Sequence, residues 1–164
     1  MKRRLNIERA AMLMITLGVM AVIFLLSAQP GTGSYALSEQ ITHQVQSSTA
    51  QSLPPSFFSA DFHANLRKWA HVYVFFALGV SMTVTVHLFW GVGRSNLPTL
   101  WQQGFLSGGL CTAYAALDEL HQLFVPGRSG SPRDVGIDAL GFVPGIVIVC
   151  LFLTIKRRRK KRNS

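Results

Sequence analysis

Four apolar segments constrain the fold of this chain more than any other feature. They span residues 10–28, 70–90, 101–124 and 136–155, and each is close to the roughly 20 residues with which an α-helix crosses the hydrocarbon core of a bilayer. The third segment is the least apolar. Only 14% of the residues are charged, against about 25% in soluble domains. We therefore predict an all-α fold, a polytopic membrane protein built as a bundle of four transmembrane helices.

Basic residues concentrate at the two ends of the chain. Of the 16 Lys and Arg residues, four lie in "MKRRLNIER" and seven in "KRRRKKR". Basic flanks of membrane helices stay on the cytoplasmic side, and four spans put both termini on one face. We therefore predict a multi-pass protein of the cell membrane with cytoplasmic tails at 1–9 and 156–164. The membrane domain is predicted at 10–155, with an extracytoplasmic loop at 29–69.

The placement of charge argues against two classes of function. The inner halves of the four segments contain no Asp, Glu, Lys or Arg, whereas ion-coupled transport usually needs ionisable groups near the midplane. The C-terminal basic run would suit nucleic acid in a soluble protein, but here it directly follows a membrane span. Anionic headgroups attract each such charge by about 1 kcal/mol, so we predict membrane lipids, and no nucleic acid, as its partner.

The stretch "AALDELHQLFVPGRSGSPRDVGIDALG", residues 115–141, interrupts the apolar pattern with four carboxylates, two arginines and a histidine. In the predicted orientation these groups meet at the outer face. At 1.5 Å rise per residue, Asp118 lies about 9 Å below the end of its helix, within the roughly 15 Å of one leaflet. The predicted site residues are Lys68, His71, Asp118, Glu119, His121, Gln122, Arg128, Asp134 and Asp138.

Several pieces of sequence, taken in order, resemble the VanZ-like family. They are "LLSAQPG", "RKWAHVYVFFALG" and "YAALDELHQLFVPGRSGSPRDVGIDALG", and the resemblance extends over nearly the whole chain. It implies a bacterial membrane protein, and the named member of that family lowers susceptibility to the glycopeptide antibiotic teicoplanin. Asp138 departs from the pattern, because the family has Asn there more often. The positions that match the family's polar pattern are Ser27, Gln29, Lys68, His71, Asp118, Glu119, His121, Gln122, Arg128, Asp134, Asp138 and Gly141.

The polar cluster fits either a structural role or a binding role. In a structural cap, Lys68, Arg128 and Arg133 would neutralise three of the four carboxylates and fix the helix register. In a binding site, Lys68 and Arg128 would contact phosphate or carboxylate of a polar ligand at headgroup level. A lipid-linked cell-wall precursor or a lipoglycopeptide is the partner expected for such a site, which would act on glycopeptide susceptibility or on envelope precursors.

Catalysis is the third interpretation of the same cluster. Asp118 with His121 resembles a base and the group that orients it, and a carboxyl such as Glu119 in a partly dry site can act as an acid. The expected chemistry is hydrolysis or group transfer on a lipid-linked substrate. However, the chain has no Gly-x-Ser-x-Gly and no His-Glu-x-x-His motif. Asp and His side chains suit zinc or manganese, but the sequence assigns no metal site and no cofactor.

Overall fold

A computed structural model describes residues 2–30, 60–92 and 99–162. These residues form four helices and, within the described ranges, no strand. The helices are α1 (Lys2–Ser27), α2 (Ala60–Trp90), α3 (Leu100–Gln122) and α4 (Pro132–Arg162). The predicted all-α bundle of four helices is therefore confirmed. Most of the predicted loop at 29–69 lies outside the described residues, as does the side chain of Lys68.

Three of the helices extend beyond the apolar segments from which they were predicted, whereas α3 begins and ends within two residues of its predicted bounds. α1 begins at Lys2 instead of residue 10, α2 begins at Ala60 instead of residue 70, and α4 continues to Arg162. Hydropathy detects only the part of a helix that is apolar enough to contact lipid. The helix itself continues through Lys, Arg and Glu, because these residues are good helix formers. In α1, an Arg4–Glu8 pair one turn apart supports this extension, with 3.2 Å between Nε and Oε1.

α2 is the central helix and packs against each of the other three. Its contact with α4 is the most extensive, because glycines let the two backbones approach closely. Gly141 of α4 lies against the backbone of Val72, and Gly79 of α2 lies against the backbone of Phe142. A Cβ at either glycine would collide with the opposite helix. The buried core around this contact comprises Ile23, Phe75, Leu78, Cys111, Ala115, Phe142 and Ile146.

Three of the four helices contain a stretch long and apolar enough to cross a membrane: Arg3–Ser27, Trp69–Trp90 and Pro132–Arg159. α3 contains no such stretch because polar residues recur along it. Those polar residues are largely the ones that the bundle covers. Gln103, Ser107 and Gln122 are buried, together with Asp118 and Glu119. The outward face of α3 is apolar, as a lipid-facing surface requires. It includes Trp101, Phe105, Leu117 and Leu120, all more than half exposed.

The helices alternate in direction, which gives the bundle two chemically different ends. At one end, α1 and α3 finish and α2 and α4 begin. We call this the acidic end, because Asp118, Glu119, Asp134 and Asp138 lie there. The other end holds the beginning of α1 and the end of α4, with their arginines and lysines, and we call it the basic end.

Candidate functional site

A buried hydrogen-bond network joins the last turn of α1 to the last turn of α3. The Ser27 hydroxyl donates to Oδ2 of Asp118 at 2.7 Å, and the Gln122 amide donates to the same oxygen at 3.0 Å. The amide also lies 3.3 Å from Oε1 of Glu119. Residues three and four apart share a helix face, so these α3 side chains point together toward Ser27. All four residues are buried, and the network fixes α1 against α3.

Arg128 crosses the acidic end and binds two segments of the chain at once. It follows Gly127, whose φ of 73° lies in the left-handed region that glycine adopts without strain. Its guanidinium donates to the Leu26 carbonyl at 2.9 Å, to the Gln29 carbonyl at 3.2 Å and to Oε1 of Gln122 at 3.4 Å. Carbonyls at the end of a helix lack intrahelical partners, so Arg128 caps α1 while binding α3.

Glu119 holds the connection between α3 and α4 in place. Its Oε2 accepts the backbone N–H of Ser131 at 2.8 Å, and Gly130 lies directly against the Glu119 backbone, where a side chain would not fit. The Ser131 hydroxyl in turn accepts the N–H of Arg133 at 3.2 Å. That is the contact of an N-cap residue, and Pro132 occupies the first helical position, where proline is favoured.

The side chains of His71 of α2 and Asp138 of α4 lie against each other across the tightest helix interface. Nδ1 of His71 lies 3.4 Å from Oδ1 of Asp138. The close approach at Gly141, one turn further along α4, brings the two helices near enough for this contact. Asp138 is 2% exposed, and its second oxygen, Oδ2, has no hydrogen-bond partner. A buried carboxylate oxygen without a partner is costly, so Asp138 leaves an unmet hydrogen-bond acceptor at this end.

A cavity of about 420 Å³ lies next to this pair at the acidic end. Its wall combines hydrogen-bond donors from the α3–α4 connection with carboxylate acceptors from α3 and α4. Ser129 and Arg133 in this wall are exposed, so the cavity reaches the bundle surface. The lining residues are His71, Glu119, Gln122, Gly127, Arg128, Ser129, Ser131, Arg133, Asp134, Ile137 and Asp138.

The structure brings most of the predicted site residues together in the wall of this cavity. Asp118 and His121 do not line it. The His121 ring stacks on Phe24, with 4.5 Å between ring centroids. Nε2 of His121 and Oδ1 of Asp118 both lack a hydrogen-bond partner, so the predicted Asp118–His121 pair is not formed. The predicted residues that do line the cavity are His71, Glu119, Gln122, Arg128, Asp134 and Asp138.

Ser129 and Ser131 were not predicted as site residues, although both line the cavity. A serine directly before a proline at a helix start is a recognisable N-cap signal, and it would have indicated that Ser131 lies at the beginning of α4. Ser129 carries no comparable signal in the sequence. Its place in the wall follows from the fold of the connection after Gly127.

The chemistry available in the cavity is that of polar recognition. Arg128 and Arg133 offer guanidinium groups for a phosphate or carboxylate, while Glu119, Asp134 and Asp138 offer acceptors for hydroxyl or ammonium groups. Within residues 2–30, 60–92 and 99–162, no group of three or more His, Cys, Asp and Glu side chains is arranged to hold a metal ion.

Comparison with known proteins gives one match. A model of the VanZ/LLP1 family matches residues 12–153, a region that includes all of α2 and α3, most of α1 and α4, and every residue that lines the cavity. No curated protein and no solved structure matches the chain.

Proposed function

Because the chain belongs to the VanZ/LLP1 family, we propose that its acidic end binds the polar part of a lipid-attached envelope ligand. Through this binding the protein lowers susceptibility to glycopeptides such as teicoplanin. The observation that carries the proposal is the cavity of about 420 Å³ with the unpartnered Oδ2 of Asp138 beside it. Ligand cavities in proteins are commonly about 300–1,000 Å³.

We further propose that the acidic end faces outward from the cell membrane. The support is the distribution of basic residues, since Arg3, Arg4, Arg9 and the run that begins at Lys156 all belong to the basic end. Basic flanks remain in the cytoplasm. In this orientation the cavity opens at the headgroup level of the outer leaflet, where lipid-linked precursors and fatty-tailed glycopeptides are found.

The surroundings of the cavity suit a ligand with a polar head and an apolar tail. Arg128 and Arg133 would take an anionic group, and Asp134 and Asp138 would accept hydrogen bonds from hydroxyl or amino groups. Apolar side chains at the same end of the bundle are open to lipid. Leu120 is 52% exposed and Phe124 is 80% exposed, which provides a surface for an acyl chain.

The buried network has a different role in this proposal from that of the cavity. Ser27, Asp118 and Gln122 bond to one another inside the bundle, and Asp118 does not line the cavity. We propose that this network holds α1 and α3 in register, while the other residues of the cavity wall contact the ligand. Gln122 belongs to both, because it also lines the cavity. Since Asp118 and His121 are not paired, the geometry supports binding more than acid–base catalysis.

The test is teicoplanin susceptibility in a sensitive Gram-positive host that expresses the protein at equal membrane abundance, matched by immunoblot. We expect wild type and Glu8→Gln to protect, because Glu8 lies at the basic end. We expect Glu119→Gln and Ser129→Trp to give no protection. The tryptophan obstructs the cavity from an exposed position and leaves the buried network intact.

Two results would overturn the proposal. If wild type gives no protection, the proposed activity on glycopeptide susceptibility is wrong. If Ser129→Trp protects as well as wild type while Glu119→Gln fails, Glu119 acts by holding the α3–α4 connection. The acidic end would then be a structural cap without a ligand.

A further inference from the structure

A second cavity, of about 590 Å³, lies at the basic end, far from the site described above. It is a groove between α1 and α4 with α2 as its floor. It exists because α1 and α4 both pack on α2 and leave a space between them. The lining residues are Leu5, Glu8, Val84, His87, Leu88, Val92, Ile148, Val149, Phe152, Leu153, Lys156 and Arg157.

The groove is apolar along most of its length and positively charged at its rim. Lys156 and Arg157 stand where α4 leaves the apolar stretch, and both are exposed. Within the described part of the chain, neither has an ion-pair partner. The acidic side chain on the opposite wall, Glu8, already pairs with Arg4. The rim therefore offers positive charge that is not neutralised by the neighbouring helix.

The length of the groove corresponds to one leaflet. Ile148 and Arg157 of α4 are nine positions apart, which is about 13 Å at 1.5 Å rise per residue. Half of a hydrocarbon core is about 15 Å. A lipid whose phosphate lies at Arg157 therefore has its acyl chain alongside Ile148.

We propose that this groove is a binding site for one anionic phospholipid from the leaflet that contains the chain termini. An acyl chain packs against Val84, Ile148 and Leu153, and the phosphate contacts Lys156 and Arg157. Charge complementarity selects this occupant, because the apolar walls accept any acyl chain while the unpaired rim favours an anionic headgroup. The proposal is independent of the function assigned to the acidic end.

The first test compares full-length protein in nanodiscs of phosphatidylglycerol and of phosphatidylcholine, with the thermal midpoint of unfolding as the readout. Bound lipid stabilises the folded state by mass action, so wild type should unfold at a higher temperature in phosphatidylglycerol. Lys156→Gln with Arg157→Gln should abolish this difference. Arg158→Gln with Arg159→Gln, which removes the same charge from exposed neighbours outside the groove, should retain it.

If both double variants lose the difference equally, the effect belongs to the general surface charge of the tail and the site is refuted. The acyl part is tested by Leu153→Trp, which fills the groove, against Leu151→Trp on the exposed face. Native mass spectrometry should show one retained phosphatidylglycerol on wild type and Leu151→Trp, and none on Leu153→Trp.

Three further outcomes would contradict the proposal. Equal lipid retention by both tryptophan variants would place the lipid elsewhere. Stabilisation by soluble glycerol phosphate as strong as that by phosphatidylglycerol would show a headgroup site without an acyl groove. A dimer in wild type that Leu153→Trp dissociates would show that a second copy of the chain occupies the groove.

Discussion

The two ends of the bundle use charge in opposite ways. At the acidic end, charged groups are directed inward: Asp118 and Asp138 are 3% and 2% exposed, and Arg128 binds the end of α1. At the basic end, Arg4 and Glu8 pair on the surface, with 87% and 49% of their side chains exposed.

Polar contacts also join α1 to α2 between the basic end and the middle of the bundle. Thr16 and Thr85 share a hydrogen bond of 2.9 Å between α1 and α2. Arg9 is partly buried, and its guanidinium caps α2 by donating to the Leu88 carbonyl at 2.9 Å and the Val92 carbonyl at 3.2 Å. These contacts satisfy backbone and hydroxyl groups without burying a carboxylate.

The exposed charge of the basic end is explained by membrane orientation, whereas the buried charge of the acidic end needs another explanation. Outward basic charge is sufficient to orient helices in a membrane, and it carries little desolvation cost. Inward charge is expensive, because removing a charged group from water costs several kcal/mol unless good partners replace the solvent. A chain that retains buried carboxylates at one end has a structural or functional use for them, and intramembrane ionisable residues mark functional sites by default.

The largest loss of stability is expected from substituting the glycine at which α2 and α4 approach each other near the acidic end. In Gly141→Ala, the added Cβ collides with the backbone of Val72 and crowds Phe76. Backbone cannot yield as a side chain does, so we expect the free energy of unfolding to fall by about 3 kcal/mol, at the upper end of overpacking costs. Denaturant titration in detergent micelles measures this change.

The control for that variant lies nearer the basic end. In Gly104→Ala, the new Cβ would lie 3.5 Å from Sγ of Cys150, an ordinary contact. We expect a change of less than about 1 kcal/mol, which is the scale of helix propensity. Equal losses in the two variants would mean that the helices pack no more tightly at Gly141 than at Gly104.

The next effect compares the buried hydrogen bonds of the two ends. Ser27→Ala removes a bond to the carboxylate of Asp118 and should cost about 1.5–3 kcal/mol, the range for bonds to charged groups. Thr85→Val removes the contacts of a neutral hydroxyl with the Thr16 hydroxyl and the Met12 carbonyl and should cost about 0.5–1.5 kcal/mol. The same titration measures both variants. A larger loss for Thr85→Val would contradict our expectation that the buried hydrogen bond of Ser27 stabilises the fold more than that of Thr85.

A smaller effect is expected when Arg128 becomes lysine. Lysine keeps the charge but loses the planar fork that reaches Leu26, Gln29 and Gln122 together. We expect a loss of about 1 kcal/mol, since Arg128 is only partly buried and water can replace some contacts. Faster amide hydrogen exchange at residues 123–131 would report the loosened connection. Arg133→Lys, at an exposed position, is the control and should leave the exchange rates unchanged.

The smallest effect is expected at the surface pair of the basic end. Glu8→Gln removes the Arg4–Glu8 ion pair, and exposed pairs of this kind contribute about 0.2–1 kcal/mol. We expect a loss below about 0.5 kcal/mol, which salt reduces further. A loss in denaturant titration as large as that of Ser27→Ala would contradict the view that the exposed charge at this end serves orientation and not packing.

The sequence predicted the bundle well because length and apolar composition determine what can cross a membrane. It placed the start of α3 within one residue, although hydropathy does not detect the capping box there, in which Thr99 accepts the N–H of Gln102 and the Gln102 side chain accepts the N–H of Thr99. It did not predict the beginnings of α1 and α2 or the end of α4. α2, for example, begins at Ala60 and continues through polar residues, because helical hydrogen bonding does not require apolar side chains.

The sequence also predicted which residues gather at the acidic end, but not how they pair. Asp118 and His121 are three positions apart, so a turn of about 100° per residue leaves them some 60° apart around α3. That offset directs Asp118 toward Ser27 and His121 toward Phe24. Whether Asp118 or His121 faces Ser27 depends on the rotation of α1 about its own axis in the bundle. The residue pattern of α3 alone does not contain that information.

The most direct test of the proposal that the acidic end is an outward-facing site is thiol labelling in intact cells. The background would replace Cys111 and Cys150 with alanine, and single cysteines would be placed at Ser129 in the cavity wall and at Arg158 near the basic end. We predict that a membrane-impermeant maleimide modifies Ser129→Cys in intact cells and Arg158→Cys only after permeabilisation. The reverse pattern would place the cavity in the cytoplasm and contradict a role in recognising an extracellular ligand.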